Sequence, residues 1–321
     1  MRWGSFALCV VLAGSLCAAQ HMHDMSGMHM AAAALQVQND DSGHVLTVRL
    51  GPVNVPAHAE HMAMAQPAPA FFEITFDGWI TAYHPTLTDA AGNKLPGQLL
   101  HHVAFYNTAR PDFVCANKDE HIFGAGGELR DWPATPGFGY RVERGDRIRI
   151  TSMFHNPTDT AYPDTYLQVK IEYQPAGAGQ LHSVYPAWLD VKECGRSDYD
   201  LQPGRNVTSG TNRIDFNGVL IGVGGHMHDY GRELVLANET THQRVAKLDA
   251  TVDAQGHLVS MPIVLFAERG GYHLNKGDEL KTTAVYDNTS GHPLPDGAMG
   301  IVVGYFLPDD PEQMTALHKH P

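Results

Sequence analysis

Two histidines separated by one residue lie in the second half of the chain. His226 and His228 occur in the stretch GVGGHMHDYG (222–231), which follows the strand-like run RIDFNGVLIGV. In an extended strand, residues two apart point to the same face, so both imidazoles can reach one metal ion while Met227 faces away. The alternative is a pair of exposed or hydrogen-bonded histidines at a strand end. The stretch alone leaves both interpretations open.

An adjacent histidine pair and a single histidine lie in the first half of the chain. His101 and His102, in LLHHVAFYN, would face opposite sides of a regular strand, so a shared metal ion requires a bulge or a strand end. Without a bulge, one imidazole would be buried and the other exposed. His155 follows the strand-like run RITSMF and precedes a turn. A lone histidine in that position is usually structural or solvated, so neither stretch is decisive by itself.

A methionine completes the set of side chains that could bind a metal ion. Met299 precedes the apolar run GIVVGYF, where a methionine considered alone would be a core residue. Imidazoles combined with a thioether form a soft ligand set, which suits copper and above all Cu(I). A set of three histidines suits copper and zinc equally. Considered together, the four stretches favour a copper protein.

The amino-terminal residues predict export. Residues 1–19, MRWGSFALCVVLAGSLCAA, combine Arg2, an apolar run and small residues, which is the pattern of a secretory signal peptide cleaved before Gln20. No later stretch is long and apolar enough to span a bilayer, so we expect a secreted or periplasmic protein without a membrane anchor. Of the 22 Lys and Arg residues one lies in the leader, which leaves 21 against 35 acidic residues and a net charge of −14. Such an acidic chain argues against nucleic acid as a partner.

The cysteine count fits an oxidising compartment. Two of the four cysteines lie in the leader, which leaves Cys115 and Cys194 in the mature chain. Neither has a zinc-type spacing, so the favoured interpretation is one disulfide, with two unpaired thiols as the alternative.

Residues 20–70 differ in composition from the rest of the chain. They contain the Met/His-rich stretches QHMHDMSGMHM and PAHAEHMAMAQPAPA, which are typical of a tail or a loop. Between them, HVLTVRL (44–50) alternates and predicts a strand with Leu46, Val48 and Leu50 on one face. The first Met/His stretch could bind additional copper or could be only a disordered tail. Its candidate accessory ligands are His21, His23, Met25, Met28 and His29.

The remaining chain predicts an all-β protein. Short strand-like runs are separated by many of the 32 glycines and 20 prolines, which is typical of a sandwich or a barrel. The flexible stretch QPAGAGQ (174–180) predicts a domain junction. We therefore expect a first β unit at 71–176, a second at 177–310 and a tail at 311–321. The clearest predicted strands are FFEITF, RIRITSMF, YLQVKIEY, RELVLAN, LKTTAVYDN and GIVVGYF.

At these histidines and at Met299 the sequence resembles the copper type II, ascorbate-dependent monooxygenases, the family of peptidylglycine alpha-hydroxylating monooxygenase and dopamine beta-monooxygenase. LLHHVAFYN resembles the family's His-His pair, and PGFGYRVERGDRIRITSMFHN resembles the stretch that leads to its single His. GGHMHDYG and GAMGIVVGYF resemble its His-x-His and later Met. The motifs occur in the family's order between residues 70 and 308. The resemblance implies two tandem jelly-roll β-sandwich domains with an open cleft between them.

The resemblance also implies how the ligands are used. His101, His102 and His155 would bind the copper that transfers electrons. His226, His228 and Met299 would bind the copper at which oxygen is activated and a C–H bond is hydroxylated. The expected cofactors are two copper ions cycling between Cu(I) and Cu(II), with ascorbate or another one-electron reductant as co-substrate.

Three positions depart from the peptide-amidating members of that family. Gly224 stands where those enzymes use an arginine to hold the terminal carboxylate of the substrate, and Ile301 and Val303 stand where an asparagine and a tyrosine assist. We therefore expect a substrate, small molecule or peptide, that is not a C-terminal glycine peptide. The family's several disulfides are reduced to at most one, Cys115–Cys194, which would join the two units.

Three functional classes follow from the sequence. The first is an exported dicopper monooxygenase. The second is an extracytoplasmic copper-binding or copper-buffering protein on the same fold without turnover. The third is a β-sandwich adhesion or carbohydrate-binding module with incidental histidines.

Overall fold

A computed structural model describes residues 30–127 and 131–318. Its regular structure is almost entirely β, arranged in sheets that pack face to face, which confirms the all-β prediction. The predicted signal peptide (1–19) and the candidate accessory ligands His21, His23, Met25, Met28 and His29 lie outside the described residues.

The first half of the chain forms two facing sheets. The sheet order β12-β9-β6-β11-β3-β2 has six strands, the order β5-β10-β7-β8 has four, and β1 pairs with β4. Their inner faces enclose one hydrophobic core, in which Phe105, Phe154 and Val142 are fully buried. The strands are β1 (Met30–Ala31), β2 (Ala34–Asp40), β3 (Val45–Val55), β4 (Gln66–Pro67), β5 (Ala70–Glu73), β6 (Gly78–Thr88), β7 (Leu100–Pro111), β8 (Asp119–Ala125), β9 (Phe138–Val142), β10 (Arg147–Phe154), β11 (Tyr162–Pro175) and β12 (His182–Ser183).

The strand β3 confirms the alternation predicted from HVLTVRL. Leu46, Val48 and Leu50 are buried in the first core, whereas Val45, Thr47 and Arg49 are partly exposed. β3 lies between β11 and β2 in the six-stranded sheet. The part of the 20–70 segment from residue 34 to residue 55 is therefore built into the first sandwich.

The second half of the chain repeats this arrangement with its own core. The sheet β13-β25-β16-β21 (with β22 also paired to β16) faces the sheet β15-β23-β17-β18. The strands are β13 (Tyr185–Asp190), β14 (Tyr199–Leu201), β15 (Gly204–Arg213), β16 (Gly218–His226), β17 (Gly231–Asn238), β18 (Gln243–Asp249), β19 (Thr251–Val252), β20 (Leu258–Ser260), β21 (Val264–Leu265), β22 (Tyr272–Leu274), β23 (Glu279–Asn288), β24 (Leu294–Ala298) and β25 (Ile301–Pro308).

Most of the predicted strands occur where the alternation placed them. RIRITSMF is β10, YLQVKIEY lies within β11, and RELVLAN, LKTTAVYDN and GIVVGYF correspond to β17, β23 and β25. FFEITF is only partly a strand, because β5 ends at Glu73 although Ile74 and Phe76 remain buried in the core.

A short helix, α1 (Pro311–His318), follows the last strand in the segment predicted as a tail. Met314 on this helix is fully buried in the second core, which explains why the segment is held against the second sandwich. The described part of the chain contains no helix with the length and apolar character needed to cross a lipid bilayer.

The two halves are packed against each other. Ile221 and Tyr305 of the second half belong to the first core, and the Tyr305 hydroxyl donates a hydrogen bond of 3.2 Å to the carbonyl oxygen of Ile122. The Cys115–Cys194 disulfide, predicted from the cysteine count, is present and joins the halves across 79 residues of sequence. Apolar packing and a covalent link therefore both hold the two sandwiches together.

Candidate metal centre

A β-bulge places the adjacent histidine pair. In the β7–β10 ladder, His102 pairs with Met153 and Leu100 pairs with Phe154, so the register shifts and His101 has no ladder partner. The extra residue changes the direction of the side chain, which lets neighbouring imidazoles turn toward one site. The pair therefore has the local distortion that a shared metal ion requires.

The other histidines lie where strands of the two sandwiches end. His155 directly follows β10, and its backbone N–H donates to the carbonyl oxygen of Leu99 at 3.2 Å. His226 is the last residue of β16, with His228 two residues further along. Met227 between them belongs to the second hydrophobic core, and alternation along an extended chain predicts that it faces away from the two histidines.

These five histidines form one group across the junction of the two halves, called here the histidine cluster. His101 is its centre, since its ring centroid lies 4.1 Å from that of His228. The nitrogen atoms that His101, His102 and His228 could offer to a metal ion all lie within 4.8 Å of one another. The other centroid separations are 5.2 Å for His101–His102, 5.1 Å for His101–His155, 5.3 Å for His226–His228 and 6.3 Å for His102–His226.

This contact differs from the open cleft that the family resemblance implies. Among the described residues, the first-half and second-half histidines touch at His101 and His228 and are not separated by a cleft. The physical reason is the apolar packing of Ile221 and Tyr305 into the first core, which closes the two sandwiches on each other.

The protonation of the cluster suits metal binding. Burial and the neighbouring His226 imidazole hold the pKa of His228 well below its usual value, and burial and the His228 imidazole do the same for His101. Both ring nitrogens of His228 are buried, and neither has a hydrogen-bond partner within residues 30–127 and 131–318. Buried, neutral imidazoles with an unused nitrogen carry a desolvation cost that a metal ion would offset. The residues present therefore fit a bound metal.

Tyr286 connects the predicted methionine to this cluster. Its buried hydroxyl accepts hydrogen bonds from the backbone N–H of His228 at 2.9 Å and of Met299 at 3.1 Å, and it donates to the carbonyl oxygen of Met299. Met299 itself is buried beside Ile301 and Val303. One phenol thus ties the backbones of two predicted ligands together. No spacing rule in the sequence indicates this role for Tyr286.

The residues that follow His228 hold the wall of a small cavity beside the cluster. Asp229 accepts a hydrogen bond of 2.8 Å from the N–H of Leu258, and the N–H of Tyr230 donates to the carbonyl oxygen of Gly256 at 2.7 Å. Asp229 and Tyr230 therefore anchor the turn between β19 and β20. The cavity is lined by Leu100, His101, His155, His228, His257 and Leu258.

A sixth histidine, which the sequence analysis did not single out, contacts the cluster. The rings of His61 and His101 are stacked, with centroids 4.4 Å apart and planes at 7°. His61 belongs to the second Met/His-rich stretch, and that composition is the only sequence signal that could have drawn attention to it.

Acid is expected to destabilise the metal-free protein through the cluster. Burial lowers the pKa of His155 from 6.5 to about 4, so between these values the unfolded chain binds a proton that the folded chain does not. The contribution of neutral His155 to the free energy of unfolding is therefore fully present above the pKa that His155 has in the unfolded chain. It is lost as the pH falls toward the pKa that His155 has in the folded protein. Between pH 7 and pH 5, His155 alone would lower the free energy of unfolding by about 2 kcal/mol.

Urea unfolding of the metal-free protein at those two pH values measures this loss. The His155→Gln variant should show a smaller difference between the two pH values than the wild type. An identical pH dependence in both proteins would mean that His155 does not carry the effect.

The sequence of this chain is similar to those of two curated proteins. It is 29% identical over 227 residues to "Probable copper-dependent oxygenase M1" of Phoma sp., an alignment that covers 66% of this chain and 57% of that protein. It is also 29% identical over 230 residues to "Probable copper-dependent oxygenase clz3" of Cochliobolus lunatus, covering 66% of this chain and 71% of that protein. The chain therefore spans little more than half the length of the first of these relatives. The sequence matches no family model.

The structural comparison is weak. The major capsid protein P2 of bacteriophage PM2 aligns over 82% of this chain and 98% of its own, with 9% identity and a TM-score of 0.36. A similarity at that level supports no conclusion about function.

Proposed function

We propose that this protein is an exported copper-dependent monooxygenase that uses O₂ and a one-electron reductant to hydroxylate a small molecule or a peptide. The observation that carries the proposal is the histidine cluster, in which imidazoles from both sandwiches converge and burial holds the pKa of His101 and of His228 well below the usual value. The two relatives named as probable copper-dependent oxygenases support copper as the metal and oxygen chemistry as its use. The disulfide is compatible with export.

The proposed ligands form two sets that meet at the contact between His101 and His228. His101, His102 and His155 would hold one copper ion, and His226, His228 and Met299 would hold the other. Copper supplies the one-electron and oxygen chemistry that protein side chains lack. Imidazole suits both oxidation states, whereas the thioether of Met299 favours Cu(I). Ascorbate or a similar donor is the proposed reductant.

The protein's own residues orient these ligands and limit access to them. The bulge at His101 directs the adjacent pair, and the Tyr286 hydroxyl holds the backbone of His228 against that of Met299. His102, His226 and His228 are buried, which limits the contact of these three ligands with bulk water. Substrate would approach along the cavity that His101, His155 and His257 line.

We propose that this protein lacks the carboxylate-binding side chains with which the peptide-amidating enzymes hold their substrate. A Cβ atom on Gly224 would lie 3.0 Å from the ring of Trp132, so an arginine side chain at that position would require this buried tryptophan to move. Ile301 and Val303, at the two assisting positions, are apolar and buried. These three positions offer neither a cation nor a hydrogen-bonding side chain to a terminal carboxylate.

Metal analysis and isotope labelling test the proposal. Protein purified after exposure to copper should retain close to two ions per chain, and with ascorbate and ¹⁸O₂ it should place one labelled oxygen atom into a member of a panel of small aromatic, aliphatic and peptide compounds. Zinc-loaded protein is the matched control and should give no labelled product. Ascorbate oxidation without labelled product would favour the copper-buffering alternative, and the absence of bound metal would favour an adhesion or carbohydrate-binding module.

A further inference from the structure

His61 lies on a segment that crosses the edge of the histidine cluster. This segment, called here the strap, comprises residues 56–67 and precedes β5. The N–H of Asn156 donates to the carbonyl oxygen of Ala59 at 2.8 Å, and the N–H of His58 donates to the carbonyl oxygen of Thr158 at 3.1 Å. Because Asn156 follows His155 directly, these bonds fix the strap to the strand end that carries a predicted ligand.

A buried glutamine fixes the strap at its other end. The side-chain amide of Gln66 donates to the carbonyl oxygens of His61 at 2.8 Å and of Phe154 at 2.9 Å. Its amide oxygen accepts the N–H of Phe154 at 2.8 Å. Gln66 is fully buried, and Phe154 is the residue immediately before His155. The backbone of His61 is therefore tied to the same strand end, which places its ring reproducibly beside His101.

The orientation of the two rings determines what His61 can do. Two coplanar imidazoles would collide at the observed centroid separation of 4.4 Å, so the rings of His61 and His101 lie face to face with planes at 7°. The nitrogen lone pair that binds a metal lies in the ring plane. A metal in the plane of His101 is therefore well outside the plane of His61, and the two rings cannot share one ion in this arrangement.

The other neighbours of His101 are arranged differently. The planes of His102, His228 and His155 are tilted to that of His101 by 40°, 46° and 59°. Tilted planes intersect, so in-plane lone pairs from these rings can converge on one point. His61 is the single ring that lies parallel to His101 among these four contacts. It covers the face of His101 and is itself buried, with 9% of its surface exposed.

We propose that His61 is a positioning residue of the metal centre, which fixes the plane of the His101 ring by stacking on it and so aims the metal-binding nitrogen of His101. This inference rests on the proposed role of His101 as a copper ligand. It assigns to the strap a function that depends on the aromatic face of residue 61 and not on its nitrogen atoms. An aromatic replacement without nitrogen should therefore preserve the function.

Two substitutions at this position separate stacking from ligation. The His61→Ala variant should bind copper about tenfold more weakly than the wild type, as expected when a residue that orients a metal ligand is lost. The His61→Phe variant should bind copper within about twofold of the wild type, because an aromatic face is retained. Competition with a chromogenic Cu(I) chelator gives the affinities, and the EPR spectrum of the Cu(II) form reports the geometry at His101.

The matched control is His58→Ala on the same strap, whose exposed side chain faces Asp159 at 2.8 Å and should leave copper affinity unchanged. Equal loss of affinity in His61→Phe and His61→Ala, with one fewer nitrogen ligand by X-ray absorption, would overturn the proposal and make His61 a ligand. Wild-type affinity and an unchanged EPR spectrum in His61→Ala would also overturn it. Because this test measures copper affinity and not turnover, it remains valid even if the protein hydroxylates no substrate.

Discussion

Replacing His228 by alanine is expected to remove one copper ion from the protein and to lower product formation by more than about a hundredfold. The His228 ring touches His101, and both of its nitrogens are buried. Without this imidazole, His226 and Met299 alone would hold the second ion too weakly for it to survive purification. Metal analysis and ascorbate-driven product formation on the same preparation measure both effects.

The outcomes of this substitution also test the division into two ligand sets. His101, His102 and His155 are unchanged in His228→Ala, so one copper ion should remain. Loss of both ions would indicate a single shared site, and retention of both would exclude His228 as a ligand. The matched control is His273→Ala, whose exposed side chain on β22 lies near Asp309 and should leave the copper content unchanged.

Replacing Tyr286 by phenylalanine is expected to lower the free energy of unfolding by about 3 kcal/mol. The phenol hydroxyl accepts hydrogen bonds from the N–H groups of His228 and Met299 and donates one to the carbonyl oxygen of Met299. Phenylalanine leaves these buried backbone groups without that partner. Because the hydroxyl also joins two proposed ligands, copper affinity should fall about tenfold. Urea unfolding of the metal-free protein and copper titration of the folded protein separate the two effects.

A second tyrosine provides the control for this substitution. The Tyr272 hydroxyl makes a 3.2 Å contact with the exposed side chain of Gln243, so Tyr272→Phe should change stability by less than about 0.5 kcal/mol. If Tyr286→Phe were as stable as Tyr272→Phe and bound copper normally, the hydroxyl would not be the element that holds His228 to Met299.

The two closely spaced histidine motifs show how much of the metal centre can be predicted from local sequence patterns. Alternation along an extended chain predicts that His226 and His228 share a face and that Met227 faces away from them, and Met227 lies in the second core. The pair of His101 and His102 could be interpreted only conditionally, since a regular strand would separate the two side chains. Whether a bulge occurs there depends on the register of the β7–β10 ladder.

The amino-acid sequence was enough to predict the all-β class, most of the strands and, as the favoured interpretation, the Cys115–Cys194 disulfide. Alternating apolar residues, turn residues and the two cysteines outside the predicted leader are local or compositional features, which can be read without knowing how the chain packs. Three contacts of the metal centre became visible only in the folded protein: His101 touches His228, Tyr286 links His228 to Met299, and His61 stacks on His101. Each of these contacts joins residues that are distant in sequence or lie on different strands. Their positions follow from how the sheets pack and how the two cores close on each other, and no spacing within one stretch encodes that packing.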